Sequence, residues 1–376
     1  MIRITTPVDG DIVNRHDGTS GPKGLAIEVC GEAEPGQEVL LVCRGTETKA
    51  GLPQQQMEVQ TTRDGNQFRG KVTLQGRYNT IIAIADGQSC AVRVLWDRYS
   101  VPRYRFSVDD SILFLRDLAR SDYSSLFDHW YLAFWWRLHQ EYGVKVQFNI
   151  YYETDPSNYA AGYFHLPALS NRYKEEWQAN SDWLRLTFHA RSNMPDWPYQ
   201  DVGYEGMARD YDAVTGEIRR FAGEELLSTF TTVHWSHATR EAVRALRDRG
   251  VTGLMGLFAF HREAPPYPWY YLDAAMAAHI AARDYWWDPE LDVYYVSFDA
   301  VLNTLELGTI APHLEQVSAN PHTGELLELM IHEDFFFPEL TRYYQPDVQQ
   351  KAEYAIRWAT ERGYKPVFWD EGFIGA

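Results

Sequence analysis

Hydrophobic and polar positions alternate with period two in short runs through the first hundred residues: GLAIEVCGEA, QEVLLVCRG, QFRGKVTL, YNTIIAIADG and CAVRVLW. Successive side chains of a strand point to opposite faces, so this alternation predicts half-buried strands. Gly, Asp and Pro punctuate the runs at short intervals, as they do in antiparallel sandwiches. An immunoglobulin-like β-sandwich is expected over residues 1–97, with WDRYSVPRY as the bridge to a second domain.

From about residue 104 the period changes. SLFDHWYLAFWWRLHQEYG precedes VKVQFNIYYETD, TREAVRALRDRG precedes VTGLMGLFAFH, and PDVQQKAEYAIRWATERG precedes YKPVFWDE. In each pair, apolar residues at helical spacing stop at a glycine (Gly143, Gly250, Gly363), the residue favoured where a helix ends in the left-handed conformation. An apolar strand comes next. Repeated helix, glycine and strand predict parallel β/α units, and hence an α/β fold over residues 98–376. DVYYVSFD (292–299) is either an eighth strand or an excursion.

The seven strand candidates YRFSVDD, VQFNIYYETD, LRLTFHAR, TFTTVHW, LMGLFAFH, LLELMIHED and KPVFWDE all run into His, Asp or Glu. Asp109, Asp110, Glu153, His189, His234, His261, His332, Glu333, Asp334, Asp370 and Glu371 thereby collect at carboxyl ends. In a parallel barrel those ends share the face on which active sites are built. Two adjacent aspartates repel each other and need a reason. Asp110 and Ser111 suit the cap of a helix starting near Ile112. Among several histidines a division of labour fits better, with one carboxylate ligating a metal and the other acting as base. His189 shares its face with Arg185 and Thr187, away from Leu184, Leu186 and Phe188. The expected cofactor is a divalent metal, zinc first.

Composition narrows the partners. A formal charge of −17 repels nucleic acid and anionic membrane, so neutral or cationic ligands are expected. The 13 Trp and 24 Tyr cluster in polar company, in PPYPWYYLD, DYWWDPELDVYY and YYETDPSNY. Tyr267, Trp269, Trp286 and Trp287 are candidate platforms for sugar rings, and equally candidates for core and rim packing. Cys30, Cys43 and Cys90 form neither a disulfide framework nor a zinc-binding spacing. No secretory signal or bilayer-length apolar run is visible, so a cytoplasmic location is expected unless an export signal has been removed. Homo-oligomerisation is left open.

The chain from about 104 to its end resembles the polysaccharide deacetylase family, the NodB-homology domain of the carbohydrate esterase family 4 type. FSVDD resembles its first motif, which implies Asp109 as base and Asp110 as metal ligand. FHARSN resembles the second, which implies His189 and Asn193 as ligands. TTVHWSHATREAVRALRDRGV resembles the third-motif region, and LLELMIHEDFF the last motif, which implies His332 as acid. Ser111 stands where the family has glycine, and VHWSHA replaces the usual Arg-Pro-Pro-Tyr run. His234 or His237 then supplies a ligand or polar contact, and Arg191, with the aromatic platforms, a substrate contact. The resemblance implies a deformed (β/α)7 barrel and a metal-dependent hydrolase that removes an acyl group from an N- or O-acylated carbohydrate. Hydrolysis of another C–N bond, such as a cyclic amide, and glycan binding by a decayed site are the alternatives.

Overall fold

The computed structural model describes residues 1–51, 55–155, 162–260 and 262–371, so His261 lies outside the described residues. Contacts divide the described residues into two units: Met1–Ser100 with Tyr285–Tyr294, and Val101–Asp284 with residues 295–371. The segment expected to be one unit from residue 98 therefore yields Tyr285–Tyr294 to the first. Trp286 pairs with Asp11, and its indole N–H donates to the Asp9 carbonyl at 2.7 Å. Among the described residues no helix is long and apolar enough to cross a membrane.

In the first unit, Gly24–Glu32 pairs antiparallel with Arg3–Thr6, Gly18–Gly21 and Gln67–Leu74. Leu40–Thr46, Gln55–Gln60, Tyr78–Ala85 and Gln88–Trp96 form a second antiparallel set. Alternation selects Leu25, Ile27 and Val29 from the first sheet and Leu41, Ile81, Ala83 and Val94 from the second for one shared core. Each larger side chain buried there contributes about 1.5–3 kcal/mol.

The second unit carries the strands β1 (Arg103–Ser111), β2 (Val146–Tyr151), β3 (Leu184–Ala190), β4 (Phe230–Thr231), β5 (Gly253–Gly256), β6 (Ala300–Val301), β7 (Leu326–His332) and β8 (Lys365–Pro366). A parallel sheet runs β3-β2-β1-β7-β6, with β8 beside β1, and β4 pairs in parallel with β5. Helices on the connections allow this. The longest between β1 and β2, α2 (Trp130–Tyr142), ends at Gly143 with φ 70°.

β1 is buried along almost its whole length, polar residues included. Register decides what those residues meet. Arg105 lies opposite Glu328 of β7, Ser107 opposite Met330, and Asp109 opposite His332. Ser107 is also beside Gln147 of β2, and Asn149 is beside Thr187 of β3, so one face of the sheet is polar to its centre. Arg105 donates to both Glu328 oxygens at 3.2 Å and to Gln147 Oε1 at 3.1 Å. Gln147 donates to Asn149 Oδ1 at 2.8 Å, and Asn149 donates to Asp109 Oδ1. A hydrogen-bonded chain thus climbs from a buried ion pair to the end of β1.

The capping role considered for Asp110 and Ser111 falls to Glu333. Its carboxylate accepts from the N–H groups of Ile112 and Leu113, each at 2.7 Å, and of Phe114 at 2.9 Å, where α1 (Leu113–Arg120) begins. Ser111 instead donates to the Val108 carbonyl at 3.2 Å. Burial pushes the Glu333 pKa up to about 7 against those three donors, which pull it down. Glu333→Gln sets an amide N–H₂ against backbone N–H, and a loss of about 2 kcal/mol is expected in denaturant unfolding. An unchanged midpoint at unchanged slope would remove Glu333 from this role.

Candidate metal centre

The pairing of β1 with β2 slips between Val108 and Ser111, and within the slip Asp110 adopts φ 62°. A non-glycine residue holds that conformation at a cost, so its surroundings must over-determine it. They do: Asp110 Oδ1 accepts from the Tyr151 hydroxyl and lies 3.1 Å from His189 Nε2 and 3.5 Å from His234 Nδ1. His189 sits near the end of β3. His234 comes after β4 and precedes Trp235 and Ser236, which have φ 64° and 50°.

The two ring nitrogens, His189 Nε2 and His234 Nδ1, are themselves 3.2 Å apart. Outside the triangle, His189 Nδ1 is 2.6 Å from the Thr232 carbonyl and His234 Nε2 is 3.1 Å from the Asn193 carbonyl. A carbonyl only accepts, so each outer nitrogen carries a proton, and the inner nitrogens turn towards the carboxylate. Edges of 3.1, 3.2 and 3.5 Å bracket roughly 3.3 Å, the ligand-to-ligand edge of a tetrahedron with bonds of about 2.0–2.1 Å. Asp110, His189 and His234 therefore form a group with the spacing to hold a metal ion.

Charge is distributed accordingly. Burial alone would raise the Asp110 pKa, but the hydrogen bond from His189 and the neighbouring histidines hold it well below the usual carboxylate range. Burial opposes the His189 cation, yet Asp109 and Asp110 raise its pKa on balance. Burial, reinforced by His189, lowers His234 to about 3, so its ring is neutral and able to ligate.

Asp109 is buried beside this triangle. Burial raises its pKa, with His189 and His332 opposing, and Asn149 holds one of its oxygens. His332 places both its backbone N–H and its Nδ1 on Asn303 Oδ1, at 3.2 and 2.9 Å, which leaves Nε2 for a ligand. Asp109, Asp110, His189, Asn193, His234 and His332 line one cavity of about 490 Å³.

Asn193, in the lining of the cavity, turns its backbone carbonyl to His234 Nε2 and its side-chain oxygen to the Tyr151 hydroxyl at 3.5 Å, beside the triangle that His234 completes. Other residues singled out in the sequence lie elsewhere. Arg191 donates to Glu153 at 3.0 Å and lies over the Tyr152 ring. His237 Nδ1 contacts the Tyr267 carbonyl at 2.6 Å, and both residues line a second cleft. Trp269 is buried, stacked on Tyr267 with centroids 4.5 Å apart. Trp286 and Trp287 belong to the first unit. Glu371 pairs with Lys145. Tyr151, Asn149 and Asn303 are site residues that no sequence motif singles out. The first two carry a visible signal, because Gln147, Asn149 and Tyr151 take alternate positions in an otherwise apolar strand. Asn303, in VLNTLE, carries none.

No family model matches the chain, and no curated protein matches it. Among solved structures, similarity is found to an engineered protein (11% identity, 26% of this chain and 20% of that one, TM-score 0.18). It is also found to the titin domains Z1Z2 in complex with telethonin (11%, 30% and 58%, TM-score 0.16). A third is amylomaltase from Corynebacterium glutamicum (11%, 59% and 29%, TM-score 0.21). The chain spans less than two thirds of each, and similarity at this level assigns no family.

Proposed function

We propose that the second unit is a metal-dependent hydrolase that cleaves an acyl amide or ester, the reaction implied by the resemblance to polysaccharide deacetylases. The observation that carries this reading is the triangle of Asp110, His189 and His234, with edges of 3.1 to 3.5 Å and a second carboxylate and a third histidine in the same cavity. A divalent ion held there supplies a Lewis acid that polarises a carbonyl and lowers the pKa of a water. Asp109 takes a proton from the attacking water, and Asn149 fixes the orientation of the carboxylate that does so. His332, held by Asn303, gives a proton to the departing nitrogen or oxygen. The oxygen of water bonds to the acyl carbon as the C–N or C–O bond breaks. The products are a carboxylic acid and an amine or alcohol.

Metal content decides the first part of this. The purified protein is expected to bind zinc, nickel, cobalt or manganese stoichiometrically, and His189→Ala to weaken that binding by on the order of 100-fold, because one of three ligands is removed. Hydrolysis of acyl amides should disappear with a chelator and return with the ion. A protein that takes up no divalent ion from excess zinc would end the proposal.

A further inference from the structure

The cavity has two chemically different halves. Asp109, Asp110, His189 and His234 make one of them. The other is built on β5, β6, β7 and the segments after them, from Leu257, Phe298, Val301, Met330, Phe335 and Tyr343. Met330 is two residues before His332 on the same face of β7, and Val301 is its partner across the β6–β7 pairing. Phe298 is tied to the end of β5 by its N–H, which donates to the Gly256 carbonyl at 3.1 Å. The Phe335 ring lies 6.0 Å from the His332 imidazole, and Tyr343 meets Phe335 edge to face. His332 therefore stands where these apolar side chains meet Asp109, its partner across the β1–β7 pairing.

We infer that the substituent released with the proton of His332 is an apolar one, aliphatic or aromatic, and that the substrate is an acylated hydrophobic amine or alcohol rather than an acylated sugar. This rests on the hydrolase reading for its chemistry and on the wall of the cavity for its specificity. A sugar brings several hydroxyls. The polar groups in this half are few: His332 itself, Asn303, whose side-chain oxygen is taken by His332, Thr304, Asp334 and the Tyr343 hydroxyl. Hydroxyls facing Leu257, Phe298, Val301, Met330 and Phe335 lose water without gaining partners. A hydrocarbon in the same space gains about fourfold in affinity per methylene, the equivalent of ~0.8 kcal/mol. Tyr267, Trp269, Trp286 and Trp287, the aromatic platforms expected to stack a sugar, do not line this cavity, whose exposed aromatics are Trp235 and Phe260.

The test is a series of N-alkylacetamides from methyl to octyl, with N-benzylacetamide and N-acetylglucosamine, measured in two ways. Turnover by the zinc-loaded protein should show kcat/KM rising about fourfold per methylene until the cavity is full, with N-acetylglucosamine among the poorest substrates. Titration calorimetry on Asp109→Asn should show the same gradient in affinity, with a negative heat-capacity change. Val301→Phe, which fills part of the space, should move the optimum to a shorter chain.

The two readings fail differently. A graded affinity with no turnover of any compound retains the apolar site and removes the hydrolase. Turnover in which N-acetylglucosamine equals or exceeds N-butylacetamide, or a flat chain-length profile, retains the hydrolase and overturns the apolar leaving group. Should Val301→Phe fail to fold, the gradient in the unaltered protein still decides.

Discussion

Asp109→Asn is expected to lower kcat/KM by on the order of 10³-fold while leaving zinc content and unfolding midpoint close to those of the parent protein. The amide has the shape of the carboxylate and keeps an oxygen for the Asn149 donor, so the buried network is maintained. The carboxylate's capacity to accept a proton is removed, and proton transfer by a positioned side chain is worth about 10²–10⁴-fold. Asp110, the neighbouring aspartate, does not substitute for it. Its oxygen is engaged by the Tyr151 hydroxyl and two imidazoles, and its low pKa makes it a poor base. Zinc measured alongside activity separates the roles. Loss of zinc would make Asp109 a ligand, and unchanged turnover would remove it from the reaction.

The division between these two aspartates is partly written in the chain. A strand-like run ending in Asp-Asp announces that the end of β1 is polar, and alternation assigns Asp109 to the face of Arg105 and Ser107. What periodicity does not contain is the slip after Val108 that sends Asp110 to φ 62° and brings it into contact with His189 and His234. A backbone irregularity depends on what the partner strand offers, and the Tyr151 hydroxyl that Asp110 accepts from is 41 residues away in sequence. The entry of His234 into the triangle has the same origin. Local spacing points to the Asn of FHARSN, but the fold also brings His234, 41 residues further on, to Asp110 and His189, with the Asn193 carbonyl against its ring.

The first unit was more legible, because GLAIEVCGE and YNTIIAIA have one apolar and one exposed or half-exposed face, and alternation reads such faces directly. β1, β2 and β7 are buried on both faces, so polar residues in them look like interruptions. The assignment of Tyr285–Tyr294 to the first unit was hidden for a related reason. Its Trp and Tyr read as a ligand surface by composition, whereas the Trp286 indole is spent on the Asp9 carbonyl. An aromatic with a polar tip serves either purpose, and only its partner tells which.

The buried network beneath Asp109 gives the second large effect. Arg105 and Glu328 have side chains only 1% and 0% exposed, so each ion depends on the other for what water no longer supplies. Burial pushes Glu328 up to about 7 even with Arg105 opposing it. Arg105→Met leaves that carboxyl without its partner, and a loss of about 3–5 kcal/mol is expected, read as a shift of the denaturant midpoint. Arg105→Met with Glu328→Leu removes both charges and should recover most of that loss, since a well-packed apolar pair of similar volume is often as stable as the ions it replaces. The double variant then separates stability from positioning. Gln147 has lost the Arg105 donor in it, and the chain through Asn149 to Asp109 is no longer held from below. If that chain orients the base, kcat stays depressed although the midpoint is restored and zinc is bound. Full recovery of kcat with stability would make the ion pair a structural element alone, and a single variant costing under about 1 kcal/mol would show that water reaches the pair.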